Sequence, residues 1–233
     1  MKKQIIVAGG ASGMGKATVT TLSEQGYEVT CACRQPERLS ALPGVRAVAF
    51  DAADPDPKLE LPETLHGLVY FPGTITLKPF HRLDDDDFLE DLQVNLLGAV
   101  RLMRLALPAL KKSGNASVVF FSTVAVRAGL PFHASIASAK GALEGLSRSL
   151  AAELAPGIRV NCIAPSLTDT PLAENLLNSD EKRGAAAKRH PLHRVGDPEE
   201  NSRLVAFLLG EDSGFMTGQV LRPDGGLSTL RPL

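Results

Sequence analysis

Lys3 to Lys16 reads KQIIVAGGASGMGK. The apolar run Ile5 to Ala8 breaks into Gly9, Gly10, Gly13 and Gly15, and Lys16-Ala17-Thr18-Val19 then begins a helical pattern. The order is strand, glycine turn, helix. A dinucleotide needs such a turn, because its pyrophosphate must approach bare backbone amides at the positive end of a helix, where a side chain would block it. Gly9, Gly13 and Gly15 give the spacing G-x-x-x-G-x-G, not the G-x-G-x-x-G of the commoner fingerprint. A glycine cluster by itself is an ordinary flexible turn. Its place between an apolar strand and a helix is what points to nucleotide binding.

Working outward, the whole chain has the dimensions of one α/β domain spanning residues 1–233. With 25 basic and 26 acidic residues the net charge is −1, which gives no electrostatic reason to expect nucleic acid or an anionic membrane as partner. The apolar run after Lys2 and Lys3 is too short for a signal-peptide core, and no apolar run is long enough to span a bilayer. Cys31, Cys33 and Cys162 are an odd number without metal spacing, so a reduced, cytoplasmic protein is expected.

The first helix should run from about Gly13 to Gln25 and stop at Gly26, with Tyr27 to Cys33 as the second strand, completing a βαβ unit. Where such a fold prefers NAD, an acid near the end of this strand takes the ribose hydroxyls. Here Cys33 is followed by Arg34, which favours the 2′-phosphate of NADP; the other reading of Arg34 is a solvated loop charge. Pro36 to Leu42 reads as a short helix and Val45 to Phe50 as a third strand closed by Asp51-Ala52. The segment Asp54 to Pro62 reads as loop with a short helix after it, and Gly67 to Phe71 as a fourth strand ended by Pro72-Gly73.

A long helix follows Asp84 to Asp87, with Phe88, Leu89, Leu92, Val94, Leu96 and Leu97 as its apolar pattern. Four consecutive acids suit a helix N-terminus; metal ligands would have to converge. Asn95 lies inside the apolar pattern, either as a satisfied core amide or as a group that opens the helix toward a water or a lysine. Ala116 to Phe121 is a fifth strand ending in Ser122-Thr123, where a parallel sheet places its chemistry. A helix over Ser135 to Leu154 carries Lys140; strand six is Ile158 to Ile163; a loop to Pro171 and a basic segment to Arg194 precede a helix near Pro198 to Leu209, then Gln219 to Leu221 and Asp224-Gly225-Gly226.

In this order, the glycine spacing, Asp51, Val94-Asn95 with Gly98, Ser122-Thr123, Lys140, Arg159-Val160-Asn161 to Pro165, Pro191-Leu192 with Arg194 and Gly196, Pro198-Glu199-Glu200 and Asp224-Gly225-Gly226 resemble the short-chain dehydrogenase/reductase family over nearly the full length. The resemblance implies a Rossmann-like, doubly wound α/β fold with a parallel sheet of about seven strands and helices on both faces. It implies reversible hydride transfer between a nicotinamide cofactor and a small-molecule carbonyl or alcohol. It also implies a homodimer or homotetramer built on the helices that hold Asn95 and Lys140. Cofactor contacts then fall to Gly9, Ser12, Gly13, Met14, Gly15, Arg34, Asp51, Ala52, Gly73, Lys140, Thr168 and Thr170. Asp51 would accept from the adenine amino group, although an aspartate there also caps turns.

The family's active site places a serine, a tyrosine thirteen positions on, and a lysine four after that. Counted from Lys140, the tyrosine position is Ile136 and the serine position Thr123. Threonine keeps the hydroxyl that can hydrogen-bond a substrate oxygen. Isoleucine can neither give nor take a proton, and losing a positioned acid costs about 10²–10⁴-fold. Tyr70, in Tyr70-Phe71-Pro72-Gly73, stands nearer the adenosine half. His133, three residues before Ile136, is the preferred substitute donor, its other reading being a surface histidine at a helix start; Ser135 and Ser138 are weaker.

Pro165-Ser166 replaces the family's Pro-Gly pair, while Thr168 and Thr170 still fit its carboxamide-binding loop. The basic residues Lys182, Arg183, Lys188, Arg189 and His190 in the lid segment Leu172 to His193 read as a solvated face, the other reading being a patch that attracts an anionic substrate. Two functions stay open: an NADP(H)-dependent oxidoreductase with a rearranged proton donor, using Thr123, Lys140, Asn95 and His133, or a catalytically silent NADP(H)-binding sensor or assembly subunit.

Overall fold

The computed structural model describes residues 2–39 and 42–231. Seven parallel strands form one sheet in the order β3-β2-β1-β4-β5-β6-β7: β1 Gln4–Ala8, β2 Glu28–Cys33, β3 Val45–Ala49, β4 Gly67–Tyr70, β5 Ala116–Phe121, β6 Ile158–Ile163 and β7 Val220–Leu221. The expected Rossmann-like arrangement is the one observed. The strand order reverses between β1 and β4, and a doubly wound sheet opens its ligand crevice at such a point, beyond the carboxyl ends of the strands.

Alternation along the strands fills both faces. Ile6, Ala8, Leu68, Tyr70, Val118 and Phe120 point one way. They meet Leu102, Met103 and Leu110 of α3 (Gly98–Ser113) and Leu143 and Ala151 of α5 (Ala134–Leu154). Ile5, Val7, Val69, Val119 and Phe121 point the other way, onto Val19 and Leu22 of α1 (Gly13–Glu24) and Val205 and Leu208 of α8 (Pro198–Leu209). Each central strand is therefore buried on both sides, which is why it reads as an unbroken apolar run.

The remaining helices are α2 (Asp85–Leu92), α4 (Ala125–Ala128), α6 (Glu174–Leu177) and α7 (Asp180–Lys188). Asp84 caps α2 in a reciprocal box: its Oδ1 accepts from the Asp87 amide at 3.0 Å, and Asp87 Oδ2 accepts from the Asp84 amide at 3.3 Å. The acidic run is thus a helix start.

Three local expectations change. Residues 61–66 form bends and no helix. The short helix after strand two is a single 3₁₀ turn, Pro36–Arg38, and residues 40 and 41 of its expected range lie outside the described residues. The single long helix runs unbroken over 85–113, but a π-turn over Gln93–Leu97 divides it into α2 and α3. A π-turn leaves carbonyls of the α-ladder without their usual partners and is a frequent mark of functional positions. Within this turn Val94 O accepts from Tyr70 Oη at 2.5 Å. Among the described residues no helix is long and apolar enough to cross a membrane.

Candidate active site

The glycine turn leaves β1 at the crevice. Gly9 and Gly13 have φ of +78° and +51°, in the left-handed region where glycine carries no Cβ penalty. A Cβ on Gly15 would run into the Gly9 carbonyl oxygen, so α1 can start this close to the turn only because position 15 is bare. Across the crevice a Cβ on Gly9 would lie 3.1 Å from Pro72, and one on Gly13 3.2 Å from Thr170. The turn is therefore bracketed by the segment after β4 and by the loop after β6. Ser12 is exposed at the N-cap of α1, its side chain making no capping bond, and Met14 is half-buried one residue into the helix.

Arg34 is exposed just beyond β2, while Cys33 before it is buried. Asp51 is exposed; its Oδ1 accepts from the Ala53 amide at 2.9 Å, so one carboxylate oxygen does close a turn. Ala52 is buried behind it. After β6, Thr168 is buried and its hydroxyl donates to Ser166 O at 3.0 Å; Thr170 donates to Thr168 O at 3.4 Å.

The other half of the crevice gathers side chains. Past the ends of β5 and β6 the ladder continues, with Ser122 N donating to Ile163 O at 2.7 Å and Val124 N to Pro165 O at 3.0 Å. This sets half-buried Thr123 beside Pro165-Ser166. Thr123 Oγ1 accepts from Ala125 N at 3.3 Å, which leaves its hydroxyl hydrogen available. Lys140, buried on α5, donates from Nζ to Phe121 O at 2.8 Å, and burial pushes its pKa down to about 8.

Asn95 is fully buried in the π-turn. Its Nδ2 donates to Thr74 Oγ1 and to Asp91 O, both at 2.8 Å, and its Oδ1 has no hydrogen-bond partner among the described residues. A Cβ on Gly73 would lie 2.9 Å from that Oδ1 and 3.3 Å from Lys140 Nζ. Gly73, Asn95 and Lys140 thus border one methyl-sized space holding a buried acceptor and a buried cation.

Ile136 is 4% exposed in the first turn of α5 and brings no polar atom. His133 is half-buried at the N-cap of α5, with Nδ1 2.7 Å from Pro131 O. Because a carbonyl only accepts, Nδ1 carries the hydrogen, and Nε2 is the nitrogen left for other chemistry. Ser135 and Ser138 are both committed elsewhere: Ser135 Oγ donates to Asp91 Oδ2 at 2.6 Å, and Ser138 Oγ to Ala134 O at 2.7 Å. Tyr70 is fully buried, and burial drives its pKa upward, so it lies out of reach as a donor.

Two features escape a reading of the sequence. Asp91 is fully buried, whereas Leu89, expected in the apolar pattern, is 60% exposed. His190 is also buried, its Nδ1 2.8 Å from Ala186 O and its Nε2 2.7 Å from Ser166 Oγ. The solvated-face reading holds for Lys182, Lys188 and Arg189 and fails for His190. Exposed Arg183 pairs in two-pronged fashion with Asp169, at 2.7 and 3.1 Å, holding α7 to the loop after β6. A cavity of about 610 Å³ opens between that loop and α6–α7, lined by residues that include Asp169, Thr170, Glu174 and Arg183.

Fold and strand-end crevice together define the short-chain dehydrogenase/reductase class of oxidoreductases, and the chain belongs to that family. The family model described as Enoyl-(Acyl carrier protein) reductase matches residues 9–228. A tropinone reductase homolog of Arabidopsis thaliana is 37% identical, over 97% of this chain and 92% of its own. Aldohexose dehydrogenase of Thermoplasma acidophilum, in ligand-free form, superposes with a TM-score of 0.89 at 26% identity, over 100% of this chain and 96% of that one. ElxO with NADP bound gives 0.87 at 25% identity, over 99% and 100%.

Proposed function

We propose that this protein is an NADP(H)-dependent oxidoreductase that interconverts a carbonyl and an alcohol by hydride transfer, with Ile136 where its family has a tyrosine and with a non-standard proton donor. The observation that carries this reading is the orphaned Asn95 Oδ1 beside Lys140 at Gly73. A buried acceptor and a buried ammonium that share a space are costly to maintain unless a polar ligand or water meets them. The glycine turn adds a stretch of bare backbone suited to a pyrophosphate. Exposed Arg34 just beyond β2, where the last strand residue is Cys33 and not a carboxylate, favours a 2′-phosphate over a free ribose hydroxyl. The NADP-bound ElxO structure supports the same choice.

When bound, the nicotinamide supplies or accepts the hydride. Thr123 donates its free hydroxyl hydrogen to the substrate oxygen and orients it. Lys140 and Asn95 hold the ribose and a water. His133 gives or takes the proton through Nε2; since Nδ1 is held by Pro131 O, it acts as an acid only as the imidazolium. On this reading the partners are a small carbonyl or alcohol and further copies of the chain, as a cytoplasmic homodimer or homotetramer. Exposed Leu97 and Leu105 at the π-turn and on α3 suit such pairing.

A second reading, a catalytically silent NADP(H)-binding protein, is favoured by one observation: the alkyl side chain buried at 136. The test is consumption of NADPH, and in parallel of NADH, over a panel of aldehydes, ketones and diketones, comparing wild type with Ile136→Tyr at verified cofactor saturation. Measurable wild-type turnover, raised about 10²–10⁴-fold by Ile136→Tyr, is expected. A silent wild type beside an active Ile136→Tyr would sink the oxidoreductase reading for those substrates. Where wild type turns over, His133→Ala shows whether that histidine is the donor.

A further inference from the structure

Asp91, in the last turn of α2, has no exposed surface and no part in the chemistry above. A buried carboxylate is costly unless its lone pairs are taken up. Here three hydroxyls converge on it. Thr74 Oγ1 and Thr76 Oγ1 donate to Oδ1, the latter at 3.2 Å, and Ser135 Oγ donates to Oδ2 at 2.6 Å. Lys78 is engaged by Asp87 at 2.5 Å and not by Asp91.

These bonds fix a direction. Thr74 spends its only hydrogen on Asp91, so it can meet Asn95 only as an acceptor, and the backbone carbonyl of Asp91 is likewise an acceptor. Both neighbours demand the NH₂ end of the amide. Asn95 Oδ1 is thereby forced into the space it shares with Lys140. We propose that Asp91 is a positioning residue of the active site, acting through Thr74 to hold the Asn95 amide with its oxygen toward Lys140.

This rests on the cofactor reading above only for what the site then binds. Charge adds a second effect. The titratable groups facing Lys140 are Asp91 from α2 and Cys162 from β6. Burial pushes the Cys162 thiol up to about 12, and the Asp91 carboxylate acts on Lys140 in the direction that opposes the burial of the ammonium. Besides its direct bond to Phe121 O, Lys140 thus draws electrostatic support from α2.

The test uses the full chain with ¹³C-labelled lysine, followed by NMR from pH 6 to 10.5, with the Lys140 signal assigned by its loss in Lys140→Met. Wild-type Lys140 should titrate near pH 8, and Asp91→Asn should move that midpoint down by about one pH unit. Thr74→Val keeps the charge and cuts the link to Asn95. It should leave the midpoint in place and weaken NADPH binding, read by fluorescence, about tenfold. A midpoint unmoved in Asp91→Asn, or undiminished binding in Thr74→Val, overturns the proposal. A purely structural Asp91 would lower the melting temperature without shifting the Lys140 midpoint. If Asp91→Asn does not fold, Thr74→Val decides the link by itself. A wild type that binds no NADPH overturns the cofactor reading instead, and the titration still decides Asp91.

Discussion

The two halves of the crevice are built from different materials. The glycine turn is made of backbone: Gly9, Gly13 and Gly15 contribute missing side chains, a single carbon on Gly15 would collide with the Gly9 carbonyl, and one on Gly9 or Gly13 would crowd Pro72 or Thr170. The other half is made of side chains that satisfy one another: Lys140 on Phe121 O, Asn95 on Thr74, and Thr74, Thr76 and Ser135 on Asp91. A backbone-built site has no slack, because its geometry has no alternative rotamer. A network of hydroxyls, amides and charges can be redrawn, and Ile136 sits in the half where redrawing is feasible.

Breaking the backbone half should have the largest effect. Gly15→Ala must separate the start of α1 from the Gly9 carbonyl. NADPH affinity should fall on the order of 100-fold, with a lower melting temperature, as expected for a substitution that forces apart a packed backbone contact. Fluorescence titration and thermal melting check both. Wild-type affinity in Gly15→Ala would mean the pyrophosphate lies elsewhere and would remove the contrast between the halves.

In the side-chain half, Lys140→Met separates binding from stability. The Lys140 pKa, about 8 in the fold, lies below the unfolded value of about 10.4. The buried ammonium therefore costs stability at pH 7, and that cost is relieved as pH rises from about 8 to about 10.4, where the unfolded chain still binds the proton. Lys140→Met should weaken NADPH binding about 30-fold at pH 7 while raising the melting temperature there, the gain vanishing above about pH 10.4. Wild-type binding should weaken above pH 8, and the variant should lose that limb. A variant that binds as well as wild type would show that this half does not hold the cofactor.

What the sequence makes legible follows the same division. Strands that alternate or run apolar, and glycines flanked by a strand and a helix, carry their structural meaning locally, so the sheet and the turn can be read in advance. Asn95 is also legible, because an amide inside an apolar pattern must be buried. Asp91 is not. In Asp84 to Asp91 (DDDDFLED) an acid reads as solvated, and its burial is decided by Thr74, Thr76 and Ser135, which lie far away in the chain. The one local hint is its spacing of four residues from Asn95, one helical turn on the same face. The same blindness affects His190, which reads as one more basic residue until Ser166 and Ala186 are seen around it.

Ser166 offers the finest probe of where the side-chain half ends. His190 Nδ1 must carry the hydrogen that meets Ala186 O, so in the neutral imidazole Nε2 accepts from the Ser166 hydroxyl. Ser166→Gly, which restores the glycine usual in the family, leaves a buried Nε2 without its partner, a loss of about 1–3 kcal/mol. That bond joins the loop after β6 to the second residue past α7, so its loss should hasten proteolytic cleavage within 172–193. NADPH affinity should change less than about threefold, since the contact runs within the protein and away from Asn95 and Lys140. Limited proteolysis beside a fluorescence titration separates these outcomes. A tenfold change in affinity with unaltered proteolysis would mean that Ser166 belongs to the binding surface, and the side-chain half of the crevice would then reach as far as β7.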